Sequence, residues 1–160
     1  MTKINNNFDE HKNLRKVLSK FSTGVTVVTS VDKKSNPVGI TVNSFSSVSL
    51  EPPLISWCIG KEQPSYTDFV KSNGFVVNIL SKKQIDICKR FSNPCINKFK
   101  GFEFEKSNEG YPLINNSLAT IICKIWAIYP GGDHDIIVGQ VTKFYATKDD
   151  PLLFWNGNLS

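Results

Sequence analysis

Residues 38–50 constrain the fold of this chain more than any other stretch, because their pattern changes half-way along. Residues 38–43 alternate apolar side chains with small or polar ones, which is the period of two expected of a half-buried β-strand. The second half places four serines within six residues, between apolar side chains, before Glu51 and two prolines end the run. Backbone N–H groups and serine hydroxyls can hydrogen-bond a polar planar ligand without adding charge. The stretch therefore predicts a strand that leads into either an ordinary serine-rich loop or a ligand site.

Residues 1–160 are expected to form one domain in which most segments are short strands. The length suits a single domain, and 40% hydrophobic with 21% charged residues is typical of a globular chain. Strands are predicted at residues 25–30, 38–43, 54–59, 75–80, 118–129, 134–147 and 152–155, and helices at residues 8–22, 66–71 and 82–91. The connection 92–117 is rich in turn residues. Short strands joined by hairpin turns favour a closed, mainly antiparallel barrel with flanking helices.

Two polar positions leave a structural and a functional interpretation open. Ser65 is placed to cap the helix 66–71, with Asp68 completing an approximate capping box. A phosphate supported by Lys61 would suit the same helix start equally well. Asn78 lies inside an apolar strand, where a buried amide must find hydrogen-bond partners. Those partners are either structural groups or a ligand.

Charge, cysteine spacing and targeting signals narrow the function classes. The excess of 19 Lys and Arg over 14 Asp and Glu is too small and too scattered to predict nucleic-acid binding, but it suits weak steering of an anionic small ligand. The four cysteines lack C-x-x-C spacing and only two histidines accompany them, so no metal site is predicted. The sequence shows no targeting segment and no apolar run of membrane length, so a cytoplasmic, reduced protein is expected. No G-x-G-x-x-G follows a strand, which argues against a Rossmann dinucleotide site.

Seven blocks of the sequence occur together in an order that resembles a known family. They are residues 21–29, residues 39–50 with the two prolines that follow, residues 75–80, Arg90-Phe91, residues 132–134, residues 137–141 and residues 150–154. Across nearly the whole chain, these blocks are similar to the short-chain flavin reductases, the reductase partners of two-component flavin monooxygenases. The resemblance implies an FMN-binding, antiparallel split β-barrel, which agrees with the predicted short strands.

The resemblance also implies a set of cofactor-binding residues and no catalytic side chain. A hydroxyl-rich segment would line the flavin ring, a second group would lie towards the ribityl phosphate, and a histidine would lie by the nicotinamide. The implied residues are Thr41, Val42, Asn43 and Ser44 at the ring; Ser47, Val48 and Ser49 further along the flavin; Cys58, Lys61, Ser65, Tyr66 and Arg90 towards the phosphate and ribityl chain; and His134 at the nicotinamide. Neutral donors suit the ring edge, and cationic or N–H donors suit a phosphate.

The first functional hypothesis is an NAD(P)H:flavin oxidoreductase that transfers hydride from NADH or NADPH to FMN or FAD. By the resemblance, the enzyme would be a homodimer that supplies reduced flavin to a partner monooxygenase. The alternatives are a flavin-binding electron-transfer or storage protein that uses no nicotinamide, and a non-enzymatic barrel that binds another planar ligand. The family commonly follows the last strand with a glycine, a basic residue and an aromatic, whereas this chain has Gly157-Asn-Leu and stops at Ser160. A truncated chain is therefore one expectation, and no covering role is assigned to the tail.

Overall fold

The computed structural model describes residues 8–94 and 97–160. The helices are α1 (Phe8–Leu18), α2 (Tyr66–Val70) and α3 (Ile85–Ser92), and a 3₁₀ turn at Lys82–Gln84 leads into α3. The strands are β1 (Thr23–Gly24), β2 (Thr26–Val31), β3 (Pro37–Val42), β4 (Ser46–Leu50), β5 (Pro53–Gly60), β6 (Gly74–Ile79), β7 (Glu105–Lys106), β8 (Pro112–Leu113), β9 (Ala119–Gly131), β10 (His134–Ala146), β11 (Leu153–Trp155) and β12 (Asn158–Leu159). Within these described ranges, no helix has the length and apolar character needed to cross a membrane.

Seven strands form one antiparallel sheet in the order β3, β2, β6, β9, β10, β5, β4. Its two edge strands, β3 and β4, follow each other in the chain and are joined only by residues 43–45. The four residue steps from Val42 to Ser46 can span at most about 14 Å, whereas the edges of a flat seven-stranded sheet would lie about 29 Å apart. The sheet must therefore curl until its edges approach, which confirms the predicted antiparallel split barrel. We call the gap between β3 and β4, bordered by residues 41–50, the split.

A hydrophobic core fills the curled sheet. Ile40 on β3 and Trp57 on β5 come from strands near opposite edges of the sheet, yet they belong to one cluster of buried side chains. Trp57 is fully buried and meets Phe69 of α2 and Phe75 of β6 edge-to-face, with 5.2 and 5.6 Å between ring centroids. Such aromatic pairs add about 0.5–1.5 kcal/mol beyond the area they bury. Packing inside the barrel thus holds the two edges near each other.

Helix α3 packs on β3 and fixes one border of the split. The ring of Phe91 is fully buried and lies so close to Gly39 that a Cβ there would be 2.6 Å from it. Glycine permits this approach because it has no side chain. Two residues along the strand, Thr41 Oγ1 donates a hydrogen bond to Cys88 O of α3 at 2.9 Å. The helix therefore holds β3 through both packing and a polar contact.

The Asn78 amide binds protein groups, which decides between its two interpretations. The side chain is fully buried, its Nδ2 donates to Val27 O at 3.0 Å and to Thr29 Oγ1 at 3.2 Å, and its Oδ1 accepts from Ile114 N at 3.0 Å. Asn78 therefore joins β2, β6 and the segment after β8, and its role is structural.

Several element boundaries differ from the sequence predictions. The first helix ends at Leu18 instead of continuing to residue 22, and the serine-rich residues 46–50 form strand β4 instead of a loop. Strand β4 forms because β5 offers it a partner: Ser46 pairs with Ser56, and the register shifts once between Ser47 and Ser49. Serine has no strong preference for strands, so tertiary pairing decides the structure here.

The cap predicted at the start of α2 does not form, whereas a capping box does form before α3. The cap at Ser65 is wrong, because the Ser65 side chain makes no capping hydrogen bond to α2. At the next helix start, Ser81 and Gln84 form a complete capping box. Helix α2 has only five residues and is held by burial of Phe69, so it depends little on a cap.

Candidate functional site

The split brings together the hydroxyl-rich residues of β3, β4 and their connection. The Oγ of Ser44 accepts a hydrogen bond from Cys58 N at 2.9 Å and donates to Cys58 O at 3.3 Å. Because Cys58 is on β5, these bonds tie the connection between the edge strands to the neighbour of β4. Val42 packs against the barrel core, whereas Asn43 is exposed. The residues predicted to bind the ring thus lie along the split, and their contact with a ring stays a prediction.

Strand β4 gives the split a second, open border. Ser47 and Val48 are exposed, and Ser49 Oγ accepts a hydrogen bond from Glu51 N at 3.2 Å. In the described part of the chain β4 pairs only with β5, so one row of its backbone N–H and C=O groups has no strand partner. Residues 41–50 include no charged side chain. The split therefore offers neutral hydrogen-bonding groups.

A second polar site, which we call the corner, forms where residues 60–66 meet the turn 131–135 between β9 and β10. His134 is paired with Gly60 across the strands, and its Nε2 would lie 3.4 Å from a Cβ at position 60. Its Nδ1 is 2.8 Å from Asp133 Oδ1, and this hydrogen bond and the charge of His134 hold the pKa of Asp133 below its usual value. An ionised carboxylate can only accept, so Nδ1 carries a proton. The second ring nitrogen is then the one that can meet a ligand.

Lys61 and Tyr66 meet at Asp135 in the corner. The Tyr66 hydroxyl donates to Asp135 Oδ2 at 2.5 Å, and Lys61 Nζ lies 3.5 Å from Asp135 Oδ1. Lys61 Nζ also donates to Gly132 O at 2.7 Å. The hydrogen bond to Asp135 raises the pKa of Tyr66, because loss of the phenol proton would place a second negative charge beside the carboxylate.

Asp135 and Asp133 were not among the residues predicted from the sequence. A signal for Asp135 was present, since it is a carboxylate directly before the apolar residues 136–138, and a buried carboxylate needs partners. Its partner Tyr66 lies 69 positions away in the chain. Only the pairing of β10 with β5 brings the two together.

The split and the corner both contact the end of β5, through residues two positions apart. Cys58 is bonded to Ser44 of the split, and Gly60 faces His134 of the corner. Two residues along a strand amount to about 7 Å. A planar ligand in the split would therefore be within reach of a second ligand in the corner.

Arg90 and Ser65 have other surroundings. Arg90 donates through Nε to Lys98 O and through Nη2 to Lys100 O, at 2.6 and 2.5 Å, and its guanidinium lies 5.3 Å from the centre of the Phe102 ring. These contacts fix the loop that follows α3, and a phosphate contact of Arg90 stays a prediction. Ser65 borders a cleft of about 180 Å³ that Asp68 also lines. Lys98 lines the same cleft with a charge opposite to that of Asp68, and a phosphate contact of Ser65 stays a prediction.

Comparison with protein families decides the identity of the fold. Residues 18–160 match the Flavin reductase like domain. The chain belongs to the flavin reductase family. Two curated relatives are 39 and 38% identical to this flavin reductase. One is the reductase subunit HsaB of a flavin-dependent monooxygenase from Mycobacterium tuberculosis, aligned over 92% of this chain and 80% of HsaB. The other is the FMN reductase (NADH) SmoA from Agrobacterium fabrum, aligned over 93% of this chain and 84% of SmoA.

A solved structure supports the same assignment. The NADH:FAD oxidoreductase SgcE6 from Streptomyces globisporus, in complex with NAD and FAD fragments, is 32% identical to this flavin reductase with a TM-score of 0.90. The match covers 99% of this chain and 96% of SgcE6. The enzyme is therefore an NAD(P)H-dependent flavin reductase, as the sequence resemblance implied.

The residues of the split fit a flavin. A flavin ring presents neutral carbonyl and nitrogen groups along its edge, and its bound state is tuned by hydrogen bonds from the protein. The free backbone edge of β4 and the exposed Ser47 hydroxyl supply neutral donors and acceptors of that kind, whereas the O–H protons of Thr41, Ser44 and Ser46 are donated within the protein. The ring of a flavin would thus meet hydrogen-bonding groups without meeting a fixed charge.

Proposed function

We propose that the enzyme binds FMN or FAD along the split, receives NADH at the corner, and releases reduced flavin to a separate monooxygenase. The observation that carries this proposal is that the Cys58 backbone bonds Ser44 of the split while Gly60, two residues further along β5, pairs with His134 of the corner. HsaB is a reductase subunit of a flavin-dependent monooxygenase, and SmoA is an NADH-dependent FMN reductase. Their descriptions support the proposed donor and the proposed partner.

The work assigned to the protein is binding and orientation. A bound flavin would accept a hydride from the nicotinamide and pass the electrons on. Backbone N–H groups from Ser44 to Ser47 would hold the ring and stabilise negative charge that develops on it. Serine, threonine and asparagine do not titrate near neutral pH, so no residue of the split is assigned an acid–base role.

The remaining predicted contacts are assigned by their position. His134 would contact the nicotinamide nucleotide through Nε2, since Nδ1 is bonded to Asp133. The residues predicted to lie towards the ribityl phosphate are Cys58, Lys61, Ser65, Tyr66 and Arg90. Among these, Cys58 is directly bonded to the split, whereas Lys61 and Tyr66 are bonded within the corner.

We propose in addition that the enzyme is a homodimer. Exposed large apolar side chains concentrate on three elements: Leu14, Val17 and Leu18 on α1, Val48 and Leu50 on β4, and Trp126, Tyr129, Phe144 and Tyr145 on the β9–β10 hairpin. A helix of 11 residues is marginal alone in water, so the apolar side of α1 needs a cover. Sedimentation at micromolar concentration should give a dimer, and a species of 17.9 kDa alone would contradict the proposal.

The flavin reductase reaction has a direct test. Anaerobic mixing of the protein with NADH and FMN or FAD should bleach the flavin absorbance at a catalytic rate. Steady-state rates measured while both substrates are varied then separate a diffusible flavin from a permanently bound one, because sequential and ping-pong patterns differ. A protein that retains flavin but does not oxidise NADH or NADPH would contradict the proposal.

Two further expectations stay proposals. The cytoplasmic location rests on the ready supply of reduced nicotinamide there and on the free thiols of Cys58, Cys88 and Cys123. The assignment of residues 1–160 to one domain rests on the length of the chain.

A further inference from the structure

Asp135 is a buried carboxylate in the corner that the proposed reaction does not use. It is 9% exposed, and it directly follows His134 on β10. Removing a carboxylate from water is costly unless hydrogen bonds and an opposite charge compensate. The groups that hydrogen-bond or pair with Asp135 therefore indicate the role of the buried carboxylate.

The partners of Asp135 come from the loop that follows β5. Tyr66 donates its hydroxyl to Oδ2 at 2.5 Å, and Lys61 Nζ stands 3.5 Å from Oδ1. The carboxylate therefore binds both ends of the segment 61–66. This segment is joined to β10 through one side chain.

Lys61 extends this attachment to the turn itself. Its Nζ donates to Gly132 O at 2.7 Å, and its backbone N–H donates to Asp133 O at 3.0 Å. Lys61 thus contacts Gly132 and Asp133, which precede His134, and Asp135, which follows it. Fixing the backbone on both sides of a residue limits the orientations of its side chain.

We infer that Asp135 is a positioning residue for the nicotinamide nucleotide, acting through Lys61 and Tyr66 to hold the turn that carries His134. The inference rests on the proposed contact between His134 and the nucleotide. It gives Lys61 a role different from the flavin-phosphate contact implied by the family resemblance. Its ammonium group already donates a hydrogen bond to Gly132 O and lies 3.5 Å from Asp135 Oδ1.

The test is a kinetic comparison of Asp135→Asn with wild type. Asparagine keeps the size of the side chain and can still accept from Tyr66, but it loses the charge that attracts Lys61. The KM for NADH is expected to rise about fivefold or more, the size of a typical coupling between contacting residues. The kcat and the flavin Kd should each change less than about twofold, because the nucleotide alone is misplaced. Asp149→Asn is the matched control, since Asp149 pairs with Lys83 on the surface at 3.0 Å and should leave all three constants unchanged.

Variants of Lys61 separate positioning from general stability. Lys61→Gln should reproduce the rise in KM for NADH, and Lys61→Arg, which keeps the charge, should recover most of it. The double variant Lys61→Gln/Asp135→Asn should be no worse than either single variant, because the two groups act as one unit. The Lys61 side chain is 40% exposed, so these variants are expected to fold even where Asp135→Asn does not.

Three outcomes would overturn the inference, and they differ from one another. A lower Tm with an unchanged KM for NADH in Asp135→Asn and Lys61→Gln would make the cluster purely structural. Weaker flavin binding with an unchanged KM for NADH would assign Lys61 to the flavin phosphate. A wild-type protein that does not turn over NADH at all would contradict the proposed function itself, and it would be seen before any variant is measured.

Discussion

The split and the corner lie side by side on β5 but are built from opposite kinds of residue. Residues 41–50 of the split contain no charged side chain, and their hydroxyls are bonded mainly to backbone groups. The corner holds two pairs of polar side chains, Lys61 with Asp135 and His134 with Asp133. A neutral site suits a ring whose charge changes during the reaction, since neither form meets a fixed opposite or like charge. The paired side chains of the corner fix one another in place, which suits a site that orients a ligand.

The two regions also differ in how they are held. The split is bordered by β3, which packs on α3 through Gly39 and Phe91, so its rigidity comes from the hydrophobic core. The corner is held by polar contacts in a loop and a turn, and Lys61 is partly exposed. Salt screens such contacts but has little effect on packing. Added salt should therefore affect nicotinamide use more than flavin binding.

The largest expected effect comes from disturbing the packing of the barrel, on which both regions depend. At Gly139 of β10, an added Cβ would lie 2.4 Å from the Phe75 ring and 2.9 Å from Cys123 Cβ, both fully buried. Gly139→Ala should therefore lower the free energy of unfolding by about 1–3 kcal/mol, as overpacking does. Denaturant unfolding checks this value, and flavin and NADH constants should both worsen.

Gly24→Ala is the matched control for Gly139→Ala. A Cβ at Gly24 meets no atom within 4 Å, so this variant should be as stable as wild type or slightly more stable. If Gly139→Ala were equally harmless, β10 would not be packed as tightly as described.

A smaller effect should separate the corner from the split. His134→Ala removes the Nε2 that we assign to the nicotinamide nucleotide, so the KM for NADH should rise about tenfold, the value of one good hydrogen bond of 1.4 kcal/mol. The kcat should fall less than kcat/KM, because no proton is assigned to this side chain. Titration with FMN or FAD should give a nearly unchanged Kd. Loss of flavin with normal NADH kinetics would instead place His134 in the flavin site.

The same two regions differ in how far the sequence predicts them. The strand period of residues 38–43 and the order of the sequence blocks were enough to predict the split barrel and the hydroxyl-rich border of the split. Strand β4 was not predicted, because its serines carry no strand preference and its existence depends on pairing with β5. Local composition could identify the residues of the split but not their conformation.

The corner was predicted only in part. Its histidine came from the family resemblance and its lysine from both the resemblance and the predicted helix start, whereas Asp135 acquires its role from Tyr66, which is distant in the chain. The cap assigned to Ser65 followed a local pattern and was wrong, because the burial of Phe69 rather than a cap holds the short helix α2. Contacts between side chains far apart in sequence leave little local signal, and the corner consists mostly of such contacts.

A third variant tests the split without touching the corner. Ser44→Ala removes the hydroxyl that bonds both Cys58 N and Cys58 O, and the connection between β3 and β4 loses its tie to β5. Loss of such a bond costs about 1 kcal/mol, so flavin affinity should weaken about fivefold while the KM for NADH at saturating flavin is unchanged. Ser46→Ala is the control, since its hydroxyl bonds only the neighbouring Ser47 O on the exposed edge. Equal changes in both constants for Ser44→Ala would show that the two regions are not separate sites.

The smallest expected effect is the pH dependence that Asp133 adds to stability. The hydrogen bond and the charge of His134 hold the pKa of this carboxyl below its usual value. A carboxyl of lower pKa in the folded state binds protons less readily there than in the unfolded chain. Its contribution to stability is therefore present above the unfolded pKa of about 3.9 and is lost as the pH falls through the folded pKa.

Because the Asp133 side chain is 91% exposed, water and salt screen the pair and the effect should be small. Denaturant midpoints of wild type and Asp133→Asn, compared from about pH 6 down to about pH 3, should converge as the wild-type carboxyl is protonated. The difference at pH 6 should shrink in high salt, whereas the difference caused by Gly139→Ala should not. If the gap between wild type and Asp133→Asn widened on acidification, Asp133 would gain stability from its protonated form, and the hydrogen bond to His134 would not hold it ionised.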